Sequence, residues 1–85
     1  MNYPQFRKYP DEKVFFKITG DDSFWELILH EEYYFYNKIM ATTYAEKLRI
    51  QDMIRKEGNF YLDSTKEEFE SILESCKTTK TRKDF

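Results

Sequence analysis

Phe69, Ile72, Leu73 and Cys76 fall at i, i+3, i+4 and i+7, an unbroken apolar stripe along one side of an α-helix. No other pattern in the chain constrains the fold as strongly, because such a stripe is stable only when another layer covers it. Ser64 with Glu67, or Thr65 with Glu68, supplies the capping box that opens this helix. A second box, Thr43 with Glu46, opens a helix over residues 44–57, whose Ile50, Met53 and Ile54 form the main stripe while Leu48 lies to one side. Gly58 stands where a C′ glycine is expected.

The layer these helices need is found upstream. From Lys13 the period is two, with Val14, Phe16 and Ile18 on one side and Phe15, Lys17 and Thr19 on the other. Gly20-Asp21-Asp22-Ser23 has the chemistry of a tight turn. Residues 24–30 fit either a strand or a helix capped by Ser23 and Glu26; the aromatic and β-branched content favours the strand, paired as a hairpin with the one before. Glu31-Glu32 is a weak turn, and residues 33–40 alternate as a third strand. Residues 59–63 read as a short fourth.

The expected fold is therefore α+β in the order β-β-β-α-β-α: a small antiparallel sheet, made of a three-stranded meander plus a short fourth strand, with both helices on one face. Residues 1–76 form the domain. Its first 12 residues, holding Pro4 and Pro10, make an extended arm that Tyr3, Phe6 and Tyr9 can pin down. Residues 77–85 read as a flexible basic tail.

Composition narrows the chemistry. Cys76 is the one cysteine of the 85 residues, so there is no disulfide framework and no cysteine-based zinc site, and a reducing, cytoplasmic setting is expected. No apolar run reaches the roughly 18 residues of a membrane span, and the first residues lack a secretory pattern. Two glycines leave no room for a phosphate-binding or dinucleotide fingerprint. His30 with Glu31 and Glu32 is the one cluster resembling metal or acid–base chemistry, but its spacing matches no ligand motif and neighbouring strand residues point apart. Cys76 on an apolar stripe reads as core, not as a nucleophile. The expectation is a protein with no catalytic residues, metal or cofactor.

The aromatic run Tyr33-Tyr34-Phe35-Tyr36 is the least ordinary feature. If the helices cover Val14, Phe16, Ile18, Trp25, Leu27, Leu29, Phe35 and Ile39, the opposite face displays Phe15, Lys17, Ile28, His30, Tyr34, Tyr36 and Lys38. A patch this aromatic suits an interaction surface. Charge is uneven: residues 1–20 carry a net +2, residues 21–76 a net −7 and residues 77–85 a net +3. An acidic body disfavours a phosphate track. The leading expectation is thus a small protein-binding module, an accessory, regulator or inhibitor of phage or mobile-element type, whose partner is another protein or a second copy of the chain. Single-stranded nucleic acid, stacking on Phe15, Tyr34 and Tyr36 with Lys17 and Lys38 at phosphates, is the alternative.

Overall fold

Six strands and two helices make up the computed structural model, which describes residues 2–83 apart from the Glu57 side chain. Asp84 and Phe85, the end of the expected tail, lie outside the described residues. The elements are β1 (Gln5–Lys8), β2 (Val14–Gly20), β3 (Ser23–Leu29), β4 (Tyr33–Met40), α1 (Tyr44–Arg55), a 3-10 turn (Glu57–Asn59), β5 (Leu62–Asp63), α2 (Lys66–Thr79) and β6 (Thr81–Lys83). The α+β class and the central meander agree with the sequence. The sheet itself is larger and mixed, ordered β5-β1-β2-β3-β4-β6, with β6 parallel to β4 and every other pairing antiparallel.

The N-terminal arm is a strand. Phe6 pairs with Lys17 and Lys8 with Phe15, while Arg7 donates from Nε and Nη2 to the carbonyls of Met53 and Ile54 at 2.9 and 3.1 Å. Those carbonyls close the last turn of α1, where a cation and hydrogen-bond donors are both favourable. The supposed tail is structured as well. α2 continues through Lys77 to Thr79, and Thr81–Lys83 pairs with Tyr33–Phe35. Lys80 fastens the junction, its Nζ donating to the carbonyls of His30 and Glu31.

The helices cover opposite faces, not one. Phe15 and Phe16 are adjacent, both 0% exposed, and point to opposite sides of β2, so each face needs its own cover. α2 buries Phe69, Leu73 and Cys76 against Phe6, Phe15, Leu27 and Tyr34. α1 buries Ile50 and Met53 against Phe16, Ile18 and Phe24. The capping threonines act as N-caps, Thr43 accepting from the Glu46 amide and Thr65 from the Glu68 amide at 3.2 and 3.0 Å, but neither glutamate returns a bond to the cap's own amide, Glu68 taking the Ser64 hydroxyl instead. α1 ends earlier than expected, at Arg55, with Lys56 in the left-handed conformation (φ 56°).

A bulge in the β2–β3 hairpin decides which side chains share a face. Gly20 pairs with Ser23, but the next pair is Ile18 with Phe24, leaving Thr19 extra on β2. Continuous pairing from the turn would have set Ile18 opposite Trp25 and Phe16 opposite Leu27, the arrangement expected above. The extra residue shifts the register by one and turns every β3 side chain over. Trp25, Leu27 and Leu29 consequently lie with Phe15 and Lys17, whereas Phe24, Glu26 and Ile28 lie with Phe16 and Ile18.

Candidate functional site

The seven residues expected to share one aromatic face are divided into three groups. Phe15 and Tyr34, 0% and 5% exposed, are core beneath α2. Ile28 and His30 lie on the opposite, α1 face, at the end of the sheet away from that helix. There His30 stacks on Tyr33 at 4.4 Å, and a depression of about 620 Å³ is lined by Lys13, Val14, Ile28, His30 and Glu31, among others. Lys17, Tyr36 and Lys38 remain together on the α2 face, beyond the part the helix covers.

The bulge adds the residue that completes this last group. Lys17, Trp25 and Lys38 are register partners on β2, β3 and β4, so they form one row across three adjacent strands with the indole between two lysines. Trp25 stacks on Tyr36 with centroids 4.7 Å apart and planes at 26°. Arg82 completes the edge: its guanidinium lies 5.6 Å from the Tyr36 ring centre and donates to the Tyr36 carbonyl at 2.6 Å. Burial pushes the Tyr36 phenol upward, while the charges of Lys77 and Arg82 act on it in the opposite direction. Lys77 therefore stands on the α2 flank facing this surface, with Glu74 at 3.4 Å from its ammonium as an exposed partner.

Four cations thus surround two stacked rings. Lys17, Lys38 and Arg82 make no ion pair among the described residues. Exposed Met40 continues the surface along β4. Chemically it offers π-faces for a flat group and positive charge for an anion, in a shallow geometry.

Sequence reasoning missed Trp25, Lys77 and Arg82. Trp25 was concealed by the bulge, which has no sequence signal beyond an ordinary Thr19, and the other two by a C-terminal segment without apolar periodicity. Among the described residues, no group of three or more His, Cys, Asp or Glu side chains could hold a metal ion, and no helix is long and apolar enough to cross a membrane. Burial raises the Cys76 thiol above its ordinary pKa, against the opposing effect of Lys80. No family model, curated protein or solved structure matches the chain.

Proposed function

We propose that this chain is a small, non-enzymatic cytoplasmic binding protein whose α2 face takes single-stranded nucleic acid. The observation that carries the reading is the Lys17–Trp25–Lys38 row, with Tyr36 stacked on Trp25 and Arg82 on Tyr36. Bases stack on aromatic side chains for about 1–3 kcal/mol each with little sequence preference, while flanking cations follow the phosphates. The acidic body does not cancel this local field. Exposed charges beyond roughly 8–10 Å are screened at physiological salt, so the cations around Trp25 act on a bound strand more than remote carboxylates do.

Trp25 is the chain's one tryptophan, so its fluorescence reports on the site directly. Titration with a ten-nucleotide oligothymidine at low salt should quench it. Four phosphate contacts would give log K a slope of about −3 against log salt, at roughly −0.7 per contact for a single strand. Lys17→Gln with Lys38→Gln should weaken binding and reduce that slope by about half. Unchanged fluorescence at millimolar oligonucleotide would remove the proposal. Equal quenching by polyglutamate would show an acidic polypeptide to be the partner class.

Protein contact is a second reading, favoured by the end of the α1 face that the helix leaves uncovered. Ile28 is half-buried there and belongs to neither core cluster. Light scattering over a concentration series tests its simplest form, self-association. A monomer at every concentration, together with unchanged mass for Ile28→Ser, would eliminate it.

A further inference from the structure

Behind the end of α1, on the face opposite the proposed nucleic-acid surface, a cavity of about 340 Å³ is lined by Tyr9, Asp52, Gly58, Phe60 and Tyr61. Its size is at the lower end of small-ligand sites. Three of its five lining residues are aromatic and one is a carboxylate. Tyr9 and Tyr61 are held firmly: their rings lie 5.6 Å apart and each packs against buried Phe16, at 5.2 and 5.8 Å.

Phe60 is 69% exposed, so most of its ring surface is open to a ligand. The backbone supplies its position. Gly58 has φ 66°, and a Cβ there would come within 2.7 Å of the Phe60 ring. Glycine is thus needed twice, for the left-handed turn and for the ring that lies over it. This close approach keeps the ring at the cavity wall.

The charges define the ligand. Arg49 lies close enough to the tyrosines for both hydroxyls to help raise its pKa, but Glu26 neutralises it at 2.9 Å. Lys56 is turned to Asp63 at 2.8 Å. Asp52 makes no ion pair among the described residues, leaving one uncompensated carboxylate beside three aromatic rings. Aromatic faces present negative potential, and this combination is suited to a bulky, weakly hydrated cation.

We infer that the Tyr9–Phe60–Tyr61 cavity is an aromatic cage for a trimethylammonium group, with Asp52 as its counter-charge. The chemistry is shared by a choline-type headgroup and a trimethylated lysine side chain. Both are therefore used as probes in amide-resolved NMR titrations of the full chain, beside 3,3-dimethylbutanol, the uncharged isostere of choline. Cationic probes should shift the amides of residues 9, 52, 58, 60 and 61, and the tighter of the two identifies the source.

Phe60→Ala, which removes one cation–π contact, and Asp52→Asn, which removes the counter-charge, should each weaken the better probe by about fivefold. Both substitutions avoid the Phe16 core, so a folded spectrum is expected from each. Binding of dimethylbutanol as tight as that of choline would show a merely apolar hollow and overturn the inference. Absence of shifts with either cation at tens of millimolar would overturn it as well.

Discussion

On the α2 side of the sheet, Trp25 and Tyr36 lie among cations that are mostly free of carboxylates. On the α1 side, the guanidinium of Arg49 lies 5.6 and 5.3 Å from the rings of Phe16 and Phe24 and is already matched by Glu26. Burial works against the Arg49 charge, yet Glu26 and the two tyrosine hydroxyls hold its pKa above the ordinary value. The same pairing of arginine with aromatic rings is therefore structural on one side and open to an outside anion on the other. Whether a cation above a ring belongs to the core or to a surface is decided by its counter-charge, not by the ring.

The largest expected effects test whether the two sides are equally core-like. Phe69→Ala on α2 should lower stability by about 3–5 kcal/mol, and Ile50→Ala on α1 by about 2–5 kcal/mol, since both side chains are almost wholly buried. Chemical denaturation measures both. A loss below about 1 kcal/mol for either would mean that its helix does not cover its face as described.

Truncation after Thr79 separates the sides. It removes β6, the Lys80 hydrogen bonds and Arg82, so the melting temperature should drop by about 4–8 °C, near 1 kcal/mol for a domain of this size. Oligonucleotide binding should weaken while the shifts caused by trimethylammonium persist. Loss of both activities together would show that the two surfaces are not independent.

The smallest effect is on acid sensitivity. The hydrogen bond from Ser64, with a further contribution from Lys8, holds Glu68 below its ordinary pKa, and the hydrogen bond from Lys56, with Arg7 adding to it, does the same for Asp63. The unfolded chain takes up these protons more readily. Their contribution is therefore complete above the ordinary carboxylate range, about pH 4, and is lost as pH falls through the lower folded values. Melting temperature between pH 6 and 2.5 should fall in that window, and less steeply in Glu68→Gln. An identical slope in the variant would show that Glu68 takes no part.

What could be read from the sequence depended on how local each determinant is. The capping threonines, the α2 stripe and the alternation of β2 and β4 are properties of neighbouring residues, and they put Lys17, Tyr36 and Lys38 on one side of the sheet, although that side is the one α2 partly covers and not one left bare by both helices. Ile28 and His30 went to the wrong face because register across the hairpin depends on Thr19, a residue equally at home in a regular strand. The adjacent Phe15 and Phe16 did carry the signal for a sheet covered on both sides, since neither ring can be solvated comfortably. β1 was hidden between two prolines, and β6, being short and wholly exposed, is held by edge pairing and by Lys80, with no apolar pattern to announce it.

α2 also has a metric role. It begins just after β5 and ends just before β6, and these strands form the two opposite edges of the sheet. Its 14 residues extend about 21 Å at 1.5 Å each. Five interstrand steps of about 4.8 Å separate the outer strands by about 24 Å, so helix and sheet width nearly match. The helix acts as a spacer bar, and adding a strand to the meander would push the edges apart by nearly the 5.4 Å rise of one helical turn. In this architecture a wider sheet and a longer α2 would have to arise together.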